Sequence, residues 1–165
     1  MIDYNQIKET LRAGIWQDLG AFFVDLESGD PRPDTQDGID SFISHKFTSP
    51  YISQKGFEQS DGDTLTFTSA PTMTVSLTCY SSNKGDALNL AHQLRKWFKF
   101  HGYEYLKEND LIVQSIEAMS DRTTFLETSY DQRVGFDVIL RTTDTQTKEI
   151  NTIETIDLNN RLIGE

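Results

Sequence analysis

The strongest constraint on this chain is a stretch of strict two-residue alternation. Leu65 and Phe67 alternate with Thr64, Thr66 and Thr68; beyond Pro71, Met73, Val75, Leu77 and Cys79 alternate with Thr72, Thr74, Ser76 and Thr78. Successive side chains of a strand point to opposite faces, so this stretch has one apolar and one polar face. It predicts a half-buried strand pair, or one long bent strand with Pro71 at the break. Val134, Phe136, Val138 and Leu140, set against Asp137 and Arg141, predict another strand. Strands with one apolar face need a second layer to cover it.

Two helical patterns supply that layer. Ile7, Leu11, Ile15 and Leu19 recur every fourth residue over 3–19, with Lys8, Glu9, Arg12 and Asp18 off the stripe and Gly20 as a stop. The second pattern carries Ala87, Leu90, Ala91, Leu94, Trp97 and Phe98. Asn83 and Asp86 are spaced as an N-cap and its N3 partner, and Gly102 ends the helix after about His101.

The remaining segments are read more coarsely. Ala21 to Val24 is a brief strand, and Phe42 to Ser53 is extended, with Pro50 confining part of it to an edge or a bend. Residues 27–41 hold Pro31, Pro33, Gly29 and Gly38 and five acids against Arg32 alone, which predicts an exposed acidic loop. Gln54 to Asp63 reads as a polar turn, Tyr103 to Asp110 as a polar link, Leu111 to Ala118 as a strand and Asp144 to Lys148 as a turn. Residues 119–132 read as a projecting hairpin or loop carrying Phe125, Leu126 and Tyr130. In the C-terminal strand and tail, 150–165, Ile153 and Ile156 fall on opposite faces, so that strand has poor support within its own chain. The expected fold is a single α+β domain over 1–165, an antiparallel or mixed sheet with two helices on one face.

Few catalytic chemistries have residues to run on. Cys79, the sole cysteine, lies on an apolar strand face and reads as a core thiol; it excludes an intrachain disulfide. His45, His92 and His101 fit no metal spacing, and there is no phosphate-cradling glycine loop, dinucleotide fingerprint or nucleophile elbow. Asp131 and Asp137 read as solvated acids. No catalytic, cofactor or metal residue is expected. The net charge is −11, from 26 acids and 15 scattered bases, against the basic footprint of a tight nucleic-acid binder. No segment has the apolar length of a membrane span, and no signal peptide is expected.

Certain segments, taken in order, resemble the phage neck-terminator or tail-terminator family. They are FTSPYIS at Phe47 to Ser53, APTMTVSLTCYSSNKGDALNLAHQLRKWF at Ala70 to Phe98, GYEYLKENDLIV at Gly102 to Val113, TFLETSYDQRVGFDVILR closing at Arg141, and IETID at Ile153 to Asp157. The resemblance spans nearly the whole chain except the acidic loop. It implies a structural virion protein, assembled in the host cytoplasm, that forms a ring, usually a hexamer, on the last ring of tail-tube protein. Such a ring stops tube polymerisation and presents a docking surface to the head-side connector or stopper. In a contractile tail it would also meet sheath protein, and genomic DNA would pass through its lumen without specific binding.

The candidate contact residues are Phe57, Phe125, Leu126, Tyr130, Ile153 and Ile156. Apolar side chains on a projecting hairpin and an end strand with open backbone groups suit an interface between copies. The competing readings are another neck component, such as a head-tail stopper or tail-completion adaptor, and a small hydrolase or ligand-binding enzyme.

Overall fold

The computed structural model describes residues 1–33, 40–126 and 129–150, without the side chains of 126 and 129–131. Its first element, α1 (Tyr4–Leu19), starts where the Asp3 carboxylate accepts from the Asn5 and Gln6 amides at 3.0 and 3.1 Å. It ends at Gly20, whose left-handed backbone (φ 60°) suits a residue without Cβ. β1 (Phe22–Val24) follows and lies parallel to β2 (Ser41–Ile52).

The hub is a two-stranded antiparallel ribbon. β4 (Thr64–Ser69) and β5 (Thr72–Ser81) form one side, and β9 (Ser129–Arg141) and β10 (Asp144–Glu149) form the other. Pairing runs from Thr64↔Glu149 through Ser69↔Asp144 and Thr72↔Arg141 to Ser81↔Gln132 without a change of register. Only a break at Pro71, whose carbonyl accepts from the Thr142 amide at 3.2 Å, divides it. The two alternating runs are thus one long bent strand shared by two sheets. The larger has the strand order β1-β2-β5-β9-β6, with β6 being Ile112–Ile116, and the smaller has β10-β4-β3, with β3 being Phe57–Asp61.

The partners flanking this ribbon are discontinuous. β2 slips register past Phe47 and again past Ser49, around Pro50 on the part of the strand that β1 does not cover. On the far side of β9 lie β6 (Ile112–Ile116), β7 (Ser120–Asp121) and β8 (Thr124–Leu126) as successive pieces of one antiparallel partner. Among the described residues the larger sheet therefore has two lateral edges, β1 on one side and β6-β7-β8 on the other.

All helices cover one face. Ile7, Leu11 and Ile15 of α1 share a single core with Met73, Val75, Leu77, Cys79, Val134, Phe136, Val138 and Leu140, and with Ala87, Leu90, Ala91 and Leu94 of α2 (Lys84–Lys96). The Asn83 side-chain Oδ1 caps α2 by accepting from the Gly85 backbone amide at 2.7 Å. The expected reciprocal bond from Asp86 is replaced: the Asn83 amide donates to Ser81 Oγ at 3.3 Å.

α2 widens into a π-helical turn at Trp97–His101, which turns the consecutive Trp97 and Phe98 both inward. The indole sits where a Cβ on Gly102 would lie 2.3 Å from Trp97 Cε2, and where a Cβ on Gly14 would lie 2.8 Å from Cζ2. Only glycine permits those approaches. Trp97 Nε1 donates to Asp18 Oδ2 at 2.7 Å, joining α2 to the end of α1.

Three expectations need correction. Tyr103–Glu108 is a third helix, α3, because Leu106 is fully buried and the Tyr105 hydroxyl donates to the Thr10 carbonyl at 3.0 Å. Tyr105 is accordingly a packing residue, while Phe100 stays 77% exposed. The presumed turns at 54–63 and 144–148 are strands β3 and β10, which pair with β4 on its two sides. Their alternation is hidden because their side chains are almost all exposed and polar.

Trp97→Ala would remove the largest buried side chain together with its bond to Asp18. We expect a loss of about 3–5 kcal/mol in urea unfolding; a loss below about 1 kcal/mol would show that the indole does not organise the helical layer.

Candidate assembly surfaces

The described residues hold no group of acids, histidines and cysteine able to bind a metal ion. Cys79 is fully buried, and burial pushes its thiol up to about 12, against the weaker pull of the Arg122 charge. It is a core side chain, as its strand face suggests.

His45 is buried and stacked on Phe23, with ring centroids 4.3 Å apart. Its Nδ1 lies 3.0 Å from the Val24 carbonyl, which can only accept, so Nδ1 carries the proton. Burial lowers its pKa, outweighing the Asp25 carboxylate, whose Oδ2 stands 4.0 Å from Nε2.

The sheet face away from the helices is built around Arg122. Its guanidinium donates to Ser76 Oγ (2.8 Å), the Leu77 carbonyl (3.2 Å), Thr78 Oγ1 (3.0 Å) and Asp137 Oδ1 (2.8 Å). Gly135 makes room for it: a Cβ there would come within 2.4 Å of the Leu77 carbonyl and 2.8 Å of Arg122 Nη1. Partial burial would raise the Asp137 pKa, but hydrogen bonds from Arg122 and Ser76, with the guanidinium charge, bring it below the usual range. Asp137 is therefore paired, where the sequence suggested a solvated acid. Nearby, Lys84 Nζ pairs with Asp121 and donates to Thr123 Oγ1 at 2.8 Å. Arg122 and Lys84 thus fasten the base of the β8-β9 hairpin to the sheet and to α2.

Of the candidate contact residues, Phe57 is 63% exposed on β3 and Phe125 is 57% exposed on β8. The two lie in different sheets and do not form one site. Residues 124–126 and 129–131 pair antiparallel, with Phe125 opposite Tyr130. The side chains of Leu126 and Tyr130, and all of Ile153 and Ile156, lie outside the described residues. The described chain leaves β10 at Ile150, whose amide donates to the Asp63 carbonyl at 2.7 Å.

One surface has no counterpart in the expectations. A groove of about 650 Å³ lies between α1, β1 and Asp30 to Pro33, and is lined by Ala13, Trp16, Phe22, Pro31 and Pro33 with Arg12 and Arg32. Trp16 is 52% exposed, and its ring centroid is 5.1 Å from that of Phe22. The groove wall is held by charge: Asp30 Oδ2 accepts from the Asp25 amide at 2.8 Å and from Arg12 Nη2 at 3.3 Å. The first part of the acidic loop is thereby tied to α1, while residues 34–39 lie outside the described residues. A tryptophan on the polar side of an amphipathic helix was the available signal for this groove.

The sequence profile of the phage neck terminator protein family matches residues 9–165. The chain belongs to this family. No curated protein gives a significant match. The match covers every described strand and helix bar the first turn of α1. A neck terminator is a structural component of the bacteriophage tail and neck, and its relevant surfaces are those that meet other virion proteins.

The Asp137 pairing of this neck terminator has a definite pH dependence. Its folded pKa is lowered, so the stabilisation is complete above the unfolded value of about 3.9 and is lost as pH falls through the folded value. We expect Asp137→Asn to lose about 1–2 kcal/mol at neutral pH and the gap from wild type to close in acid. A gap unchanged down to pH 2 would show that the ion pair contributes nothing. Separately, Cys79 should be silent towards a thiol reagent in the folded protein and react once it is unfolded; fast reaction in buffer would contradict its burial.

Proposed function

We propose that this neck terminator assembles side by side into a ring, a hexamer by analogy with its family, that caps the tail tube. The ring ends tube polymerisation and carries the docking surface for the head-side connector or stopper. The observation supporting self-assembly most directly is that both lateral edges of the larger sheet end in exposed aromatic surface. Trp16 and Phe22 stand at the β1 edge, and Phe125 stands at the β8 edge. Exposed apolar clusters of this kind are a liability in a solitary subunit and are covered in an assembly.

The smaller sheet suits an axial partner. Among the described residues it has no covering layer, and Phe57 lies on its threonine face beside Thr68. Tube protein on one side and connector on the other, with sheath protein in a contractile tail, are the partners in this reading. The net charge of −11 is compatible with a lumen that DNA traverses without being held, since a ring of lysines would grip phosphate in proportion to their number. The part played is structural, with no bond-making step.

Removing the gene should give tails of uncontrolled length, or tails that fail to join heads, seen by negative-stain electron microscopy of lysates. Finished tails of normal length beside heads that leak DNA would point instead to a stopper and contradict this reading.

A further inference from the structure

Of the three histidines only His45 is buried, and its two ring nitrogens have unlike surroundings. Nδ1 donates to the Val24 carbonyl at 3.0 Å and so ties β2 to β1. Nε2 is buried without a hydrogen-bond partner. It stands 4.0 Å from Asp25 Oδ2, an acceptor facing an acceptor with no proton between them. The ring is held by Phe23, stacked at 4.3 Å, and by Phe47, edge-on at 6.1 Å.

The charges around this ring come from three elements. The turn after β1 supplies Asp25, whose Oδ2 also accepts from Ser28 Oγ at 2.6 Å and lies 3.7 Å from Lys8 Nζ on α1. Lys8 and Arg12 of α1 stand 3.9 and 3.3 Å from Asp30, and Arg12 also pairs with Glu9. On β2 the adjacent Lys46 pairs with Glu27, while β5 opposes His45 with Leu77, which does not titrate. A proton on Nε2 would thus place a second cation beside a carboxylate that Lys8 already holds, within apolar packing. Burial, with the Lys8 and Arg12 charges, keeps the His45 pKa below its ordinary value of about 6.5 and outweighs the pull of Asp25. The stability that neutral His45 permits is therefore complete above about 6.5 and is lost as pH falls through the folded value.

Opening is cheapest at β1. That strand has three residues and, among the described residues, one pairing partner, whereas β5 is paired on both sides along its length. Freeing β1 brings the imidazole to water without disturbing the central ribbon. We propose that His45 is a proton-operated latch: neutral, it holds β1 and the Asp25 to Asp30 turn on the sheet, and protonated, it releases them together with the β1 edge as a contact surface. The release of β1 stands on the subunit alone, and its effect on contacts between copies rests on the ring reading above.

The test uses the full-length protein carrying His92→Gln and His101→Gln, both at exposed positions, so that His45 is its only imidazole. NMR from about pH 7.5 to about pH 5 follows the His45 ring and the exchange protection of the Asp25 and Ser28 amides, which donate to Asp30 Oδ2 and Asp25 Oδ1. Asp25 stays ionised throughout: burial would raise its pKa, but the Ser28 hydrogen bonds and the His45 and Lys8 charges bring it below the ordinary value. We expect protection at these two amides to fall about tenfold or more while that of Val75 to Cys79 holds within about twofold. His45→Gln, whose side-chain amide can still donate to Val24, should abolish the fall. Proton uptake by His45 with protection unchanged would overturn the latch, and so would an equal fall in the His45→Gln protein. If that variant does not fold, the parent decides alone, since a fall displaced by more than about one pH unit from the His45 ring titration would overturn the latch. Rings on isolated tail tubes, counted in negative-stain images at both pH values, should be lost in acid with His45 and kept with His45→Gln. Rings that persist while β1 is released would overturn the gating of contacts and leave the latch intact. No rings at either pH would overturn the ring reading, again without touching the exchange result.

Discussion

Everything in this fold depends on the unshifted ladder between Thr64–Ser81 and Gln132–Glu149. A strand that slips by one residue exchanges its faces, so the ladder fixes which side chains meet the helices over its whole length. Met73, Val75, Leu77 and Cys79 then face the helical layer together with their partners Leu140, Val138, Phe136 and Val134. Irregularity is left to the flanking strands, where β2 slips twice and β6 slips once. The result is a regular axis with irregular margins.

The opposite face shows why a strand can carry a glycine at its centre. Gly135 lacks the side chain that would collide with Arg122, and the guanidinium uses the space to satisfy Ser76, Thr78, Asp137 and a backbone carbonyl. Hydrogen bonds to a charged donor exceed those between neutral groups. One arginine from the β7-β8 connection therefore secures three strands and sets where the hairpin begins.

Much of this was legible in the sequence, because period and capping are local signals. Alternation located the ribbon, fourfold spacing located α1 and α2, and Gly20, Asn83 and Gly102 mark ends that the structure retains. The strands β3 and β10 escaped because exposed polar residues carry no period, although they pair fully with β4. α3 escaped because six residues with one buried leucine give no stripe. Among the candidate contact residues, the exposure of Phe125 was foreseeable from its polar surroundings. The groove left only Trp16 as a signal, since it is assembled from α1, β1 and Pro31 to Pro33, whose proximity is a product of folding.

The central claim is that the lateral edges of the sheet exist to meet copies of the same chain. A cryo-electron microscopy reconstruction of the phage neck tests it most directly. The expected map contains one closed ring of this subunit on the end of the tail tube, with the β6-β7-β8 edge of each copy facing the β1 edge of the next. A map in which these edges face solvent, or in which the subunit is present as isolated copies, would contradict it.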